Sequence, residues 1–156
     1  MNTAFKRICN VDYRRYEKEK KILNSSGIYL YYSDDDLANC TAIIFGPSDT
    51  PYHNGALIYD ITFTSSYPFA PPKVKYVSNC NTRIHPNYYA NGKVCLSILG
   101  TWPGPGWSAA LTLNTVLLSL QTLLNENPIQ NEPGYESEVG TRAKNYKRLV
   151  EYYNIK

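Results

Sequence analysis

The chain has 156 residues, 43% hydrophobic and 19% charged, with a formal charge of only +3. This composition suits one compact domain over residues 1–156 with a real core, and it excludes both a disordered chain and an obvious nucleic-acid binder. No apolar run approaches the roughly 20 residues of a membrane helix, and charges interrupt the N-terminus where a signal peptide is apolar, so the expectation is an intracellular monomer, cytoplasmic or nuclear, with no membrane partner.

Residues 4–23 are predicted to form an amphipathic helix. Phe5, Ile8, Cys9, Tyr13, Tyr16 and the Ile22-Leu23 pair recur at helical spacing, and Lys6, Arg7, Arg14, Arg15, Lys18, Lys20 and Lys21 fill the other face. That basic face reads either as a solvated surface or as a docking site for an acidic partner. Asn24 to Gly27 stops the helix. Strands follow at Ile28 to Tyr32, Cys40 to Phe45, Ala56 to Phe63 and Lys73 to Val77, with a turn at Ser33 to Asp36 and a break at Gly46-Pro47. Short connections favour an antiparallel meander. Tyr67-Pro68-Phe69-Ala70-Pro71-Pro72 is a stiff loop. Tyr67 reads as a cap on the sheet's end, while Phe69 stands between cap and exposed binding anchor.

From Val77 to Leu111 no regular period is visible, and such a long loop in a compact domain points to function. Within it, Thr101 to Trp107 is a rigid Pro- and Gly-rich segment carrying two tryptophans. Leu111 to Leu124 is a strongly apolar helix ended by Asn127-Pro128, and residues 136–153 suggest a final basic, Tyr-rich helix.

The four cysteines, Cys9, Cys40, Cys80 and Cys95, form no C-x-x-C pair, and there are only two histidines, which argues against a zinc site. Cys95 differs from the others in its surroundings, His85-Pro-Asn87 and Lys93. A thiolate nucleophile with a nearby His suggests a Cys/His hydrolase. The chain order is awkward for it, because a His before Pro in a tight turn suits a loop-fixing role. The second reading is a cysteine that carries an acyl group as a thioester. Such a site wants an exposed sulfur, no strong base for water, and a donor for the oxyanion, which the Asn87 amide supplies if the loop folds its eight-residue spacing back. Asn87 reads equally as a brace for its own loop.

Four pieces, GPSDTPYHNG from Gly46, YPFAPPKVKY from Tyr67, HPNYYANGKVCLSIL from His85 and WSAALTLNTVLLSLQTLL from Trp107, together resemble the ubiquitin-conjugating enzymes. The resemblance implies an α+β fold: an N-terminal helix, a four-stranded antiparallel meander, a long catalytic loop, an apolar central helix and a short C-terminal helix. It implies that Cys95 accepts ubiquitin, or a ubiquitin-like modifier, from an activating enzyme that consumes ATP. The cargo then passes to a lysine amine of a protein substrate or to a ligase cysteine, with no cofactor or metal bound to this chain. By the same likeness Asn87 assists the oxyanion and His85 organises the loop. Lys6 and Arg7 dock the activating enzyme, Phe69, Ser108 and Ala109 meet a ubiquitin ligase, and Leu118 and Ser119 meet the tethered ubiquitin.

Some positions depart from the family pattern. Ser97 stands where many members carry Asp, Thr101 to Gly106 enlarge the loop beyond Cys95, and Asn125 to Glu136 replace the usual acidic gate. Ser97, Asn131 and Glu132 are candidates for orienting the incoming lysine. GTWPGPGW and NEPGYE are similar to the large and giant apoptosis-inhibitor-type members, beside which this chain is a catalytic core that stops about one helix short of a typical one. A non-catalytic ubiquitin-binding variant of the fold would lack the active cysteine, whereas Cys95 is present.

Overall fold

The computed structural model describes residues 3–33, 35–77 and 81–154, with the backbone alone of Thr3 and Cys9. Asp34 of the predicted turn, Cys80, and the Cys9 side chain assigned to the apolar helix face lie outside the described residues. No described helix is long and apolar enough to cross a membrane.

The first helix, α1, runs Thr3–Arg7, loosens into a π-helical stretch Ile8–Tyr13 and continues as Arg14–Ser25. Ala4, Ile8, Asp12 and Tyr16 are buried at four-residue spacing. The looser winding keeps that repeat on one face, which a regular helix would rotate away. This corrects part of the predicted apolar face: Phe5, Tyr13 and Ile22 are 42%, 38% and 69% exposed.

The sheet is the predicted antiparallel meander: β1 Ile28–Tyr32, β2 Asn39–Phe45, β3 Ala56–Thr62 and β4 Lys73–Val77, in that order. Alternation places one face in the core. A buried row crosses all four strands through Leu30, Ala42, Tyr59 and Tyr76, where small Ala42 lies between two large neighbours. At the free edge of β1, the Tyr16 hydroxyl donates to Leu30 O at 3.0 Å and accepts from Leu30 N–H at 3.2 Å. One side chain thus covers an edge donor and acceptor that would otherwise be open to another strand.

Helix α2, Leu113–Leu123, lays Leu113, Val116, Leu117 and Leu120 into the same core. It starts two residues later than predicted, because Leu111 closes a turn onto Ser108 O (2.9 Å) and Thr112 remains extended. Helix α3, Thr141–Asn154, begins five residues later than predicted and has 14 residues. Glu138 accepts from Gly140 N–H at 2.7 Å and holds the preceding segment in a turn.

Asp12 is 1% exposed. Its Oδ1 accepts from Leu113 N–H at 2.9 Å and its Oδ2 from Tyr67 O–H at 2.7 Å. A carboxylate there satisfies an orphan donor at the start of α2 and complements the helix dipole. Thr112 makes no side-chain cap, so the cap comes from 101 residues away. Arg7 joins this group, with Nη2 donating to Leu111 O at 2.9 Å and Nε 3.6 Å from Asp12. Tyr67 is accordingly a buried strut and not an open surface.

Residues 81–112 are irregular apart from isolated β-bridges and a 3-10 turn at Ser97–Leu99. They are held down by buried rings. Tyr88 O–H donates to Leu120 O (2.7 Å), and Tyr52 O–H donates to Ile84 O (2.9 Å). His85, between those two rings, lies 2.8 Å through Nε2 from Leu123 O and accepts Asn87 N–H through Nδ1 at 2.9 Å. Because Nδ1 accepts, Nε2 carries the proton and donates to Leu123 O.

Asp12→Ala strands two buried donors, and denaturant unfolding is expected to show a loss of about 2–3 kcal/mol. Burial pushes the His85 pKa down to about 4 from 6.5. The unfolded chain therefore binds a proton at His85 before the folded one does, and stability is full above the unfolded value and lost as pH falls. The unfolding free energy from urea titrations is expected to fall by about 2 kcal/mol between about pH 7 and pH 5, and His85→Gln is expected to remove that slope.

Candidate active site

Asn91-Gly92 makes the turn between His85 and Cys95, with Asn91 Oδ1 accepting from Lys93 N–H at 3.0 Å. Gly92 has φ +90°, and a Cβ there would lie 2.7 Å from the Lys75 side chain and 3.0 Å from Tyr76 O. Only glycine lets the loop lie this close to β4. Its carbonyl accepts from Tyr76 N–H at 2.9 Å, and Lys93 bridges to Lys75.

The fold-back brings Asn87 and Cys95 together. Cys95 N–H donates to Asn87 O at 2.8 Å, and Asn87 Nδ2 donates to Cys95 O at 2.8 Å. Both residues are buried, and Asn87 Oδ1 has no hydrogen-bond partner. Cys95 is a free thiol and only 2% exposed, which corrects the expectation of an exposed sulfur. The chain beyond it returns over the same region: a Cβ on Gly104 would lie 3.1 Å from Ser97 Cβ. His85 has no nitrogen left to act as a base toward Cys95, since one donates to Leu123 O and the other accepts from Asn87 N–H. The arrangement therefore disfavours the hydrolase reading.

Among the lysine-orienting candidates, Ser97 is half-buried under Gly104. Asn131 spends its amide on Pro128 O at 3.1 Å. Glu132 Oε2 pairs with Arg83 Nη2 at 2.9 Å, and Arg83 Nη2 also donates to Pro86 O. The Arg83 guanidinium lies 4.2 Å from the Tyr89 ring centre. Arg83 thus links Glu132 to the His-Pro-Asn turn, a link that sequence reading missed because nothing local marks a cation two residues before His85. The pair borders an open cleft of about 430 Å³ between Pro86, Ile129, Tyr135, Arg142 and Tyr146.

The remaining candidates lie on separate faces. Lys6 is exposed, but Arg7, expected beside it on the docking surface, turns inward to Leu111 O and Asp12. Phe69 is 79% exposed. Trp107 donates through Nε1 to Pro68 O at 2.7 Å, which holds the loop of exposed Ser108 and half-buried Ala109 against the loop of Phe69. Leu118 is exposed on α2, and next to it Ser119 is half-buried with its hydroxyl on Thr115 O.

The family model described as ubiquitin-conjugating enzyme matches residues 12–154. Among similar curated proteins, ubiquitin-conjugating enzyme E2 Z of Xenopus tropicalis is 44% identical over 133 residues, which covers 83% of this chain and 42% of that protein. The Homo sapiens E2 Z is 43% identical over 133 residues, covering 83% of this chain and 38% of its own length. The chain thus spans about two fifths of the length of these relatives. A crystal structure of the H. polymorpha ubiquitin conjugating enzyme Pex4p, in complex with the soluble domain of Pex22p, superposes with a TM-score of 0.76 at 28% identity, covering 98% of this chain and 97% of that one. With the four-stranded meander, the His-Pro-Asn turn and the Cys95 loop already in place, these matches agree on one assignment: the chain belongs to the ubiquitin-conjugating enzyme family.

Proposed function

We propose that this chain is the catalytic core of an intracellular ubiquitin-conjugating transferase that works through a thioester on Cys95. In loading, the Cys95 thiolate attacks the carbonyl carbon of a modifier held on an activating enzyme. A new C–S bond forms, and the old sulfur leaves with its electron pair and takes up a proton. In transfer, a lysine amine attacks the same carbon, a C–N bond forms, Cys95 leaves as thiolate, and the amine loses a proton to solvent. ATP is consumed upstream by the activating enzyme.

The observation that carries this reading is the paired hydrogen bonding of Asn87 with Cys95 beside a histidine that has no free nitrogen. Such a site favours holding an acyl group over hydrolysing it. An Asn amide has two hydrogens. One is on Cys95 O, and the other is the donor assigned to the oxyanion. The buried sulfur fits a site that opens when the modifier tail docks. Glu132, held by Arg83, together with Ser97 and Asn131, is assigned to the side from which the lysine arrives. Lys6 belongs to the activating-enzyme face, the Phe69, Ser108 and Ala109 loops to the ligase face, and Leu118 with Ser119 to the face that meets the tethered modifier. The partners are therefore ubiquitin or a ubiquitin-like protein, its activating enzyme, a ligase and protein substrates.

Incubation with activating enzyme, ATP and ubiquitin is expected to give a reductant-sensitive adduct that Cys95→Ala abolishes. Persistence of the adduct in that variant, or its absence across a panel of modifiers and their activating enzymes, would overturn the proposal. Asn87→Ala is expected to charge, yet to discharge to free lysine about 100-fold more slowly in a single-turnover assay. Discharge at the wild-type rate would leave Asn87 as a brace only.

A further inference from the structure

Cys95 is gripped from two sides, and one of the grips belongs to a residue outside the His-Pro-Asn turn. After the 3-10 turn Ser97–Leu99, Gly100 takes the left-handed conformation (φ 69°) and its N–H donates to Ser97 O at 2.9 Å. The chain reverses there and returns Thr101 to the strand-like segment it has just left. The Thr101 hydroxyl donates to Val94 O at 2.6 Å and accepts from Leu96 N–H at 2.9 Å, with Leu96 O at 3.2 Å as a weaker acceptor. A single hydroxyl therefore bridges the two peptide groups that flank Cys95. On the opposite side, Asn87 holds the N–H and C=O of Cys95 itself.

With all four of these groups fixed, the backbone torsions of Cys95 are fixed too, and the Cα–Cβ direction follows from them. Only the side-chain torsion of the cysteine remains to aim the sulfur. Misplacing a reacting atom by about 1 Å can cost up to about 100-fold in rate. We infer that Thr101 is a positioning residue for the thioester chemistry of Cys95, acting through the peptide groups on either side of it; this rests on the thioester reading above. It touches no reacting atom. Asn87→Ala removes the oxyanion donor together with one of the four grips, so its effect falls most heavily on discharge. Loss of the Thr101 hydroxyl removes two grips and no oxyanion donor, and so disturbs the aim of the sulfur alike in both half-reactions. Loading and discharge form and break the same C–S bond at the same sulfur, so both should slow together.

The experiment uses the full chain with three substitutions. Thr101→Val keeps the shape and removes the hydroxyl, and Thr101→Ser keeps the hydroxyl. Gly100→Ala perturbs the reversal alone, because a Cβ at Gly100 meets nothing within 4 Å. Thr101→Val is expected to slow charging and lysine discharge about tenfold each, with the half-saturating lysine concentration unchanged. Thr101→Ser is expected within about twofold of wild type. Gly100→Ala should shift both rates the same way by about threefold, through the strained turn. In parallel, alkylation of Cys95 by iodoacetamide, read by mass spectrometry without any activating enzyme, should change at least about threefold in Thr101→Val. Wild-type rates in Thr101→Val, or a Thr101→Ser variant as slow as Thr101→Val, would overturn the inference. If Thr101→Val does not fold, unchanged rates in Gly100→Ala would do the same. If the wild-type chain accepts no modifier, the thioester reading fails first, and an unchanged alkylation rate at Cys95 then removes the positioning role as well.

Discussion

A neutral imidazole holds the catalytic side of this molecule together. His85 sits fully buried between the rings of Tyr52 and Tyr88, with one nitrogen donating to the last turn of α2 and the other accepting from the Asn87 backbone. Burial of a titratable ring is tolerated because both nitrogens are satisfied in the uncharged state. The consequence reaches Cys95. The ring sets the position of Asn87, and Asn87 in turn holds both backbone polar groups of the cysteine. The same two bonds that organise the loop occupy the nitrogens a general base would need. Stability of the loop and the engagement of both ring nitrogens thus follow from one arrangement.

A second buried polar group does the equivalent work at the other end of the core. Asp12 caps α2 and receives the Tyr67 hydroxyl, and Arg7 reaches Leu111 from the same helix. The basic helix, the proline-rich loop of Phe69 and the start of α2 are therefore one rigid corner. Trp107 adds the second loop to it through Pro68 O. Surfaces assigned to different partners share that corner, so a substitution at Asp12 would be felt at more than one of them.

On the side proposed to receive the lysine, Glu132 forms an ion pair with Arg83. Glu132 is half-exposed and bound to Arg83, so its charge is already compensated. Exposed pairs of this kind contribute little to stability. Their value here is geometric, because Arg83 also binds the Pro86 carbonyl and so ties the segment to the His-Pro-Asn turn. Ser97, in place of a carboxylate, lies beneath the returning loop at Gly104. The approach to Cys95 is thus shaped by contacts with the enlarged loop more than by local negative charge.

Much of this was legible in the residues alone. Strict alternation in Leu57, Tyr59, Ile61 and Phe63 determined which face of β3 is buried, because a strand turns its side chains over at every residue. Asn91-Gly92 marked the turn that lets Asn87 meet Cys95, and the leucine pattern marked α2. These signals are local, and local rules decode them. Other features required contacts across the chain. The π-helical stretch moved Phe5 and Tyr13 out of the core, and Asp12 became the cap of a helix 101 residues later. Arg7 was placed on a docking face and Arg83 carried no local signal, and the fold supplied Leu111 O to the first and Glu132 and Pro86 O to the second. The sequence by itself determined the elements, their order and the loop that brings Asn87 to Cys95. Only the tertiary structure decided that Cys95 is buried, that His85 has no free nitrogen, and that Thr101 closes on both flanks of the cysteine. Burial and hydrogen-bond occupancy depend on which distant groups arrive at a site, and no local pattern records them.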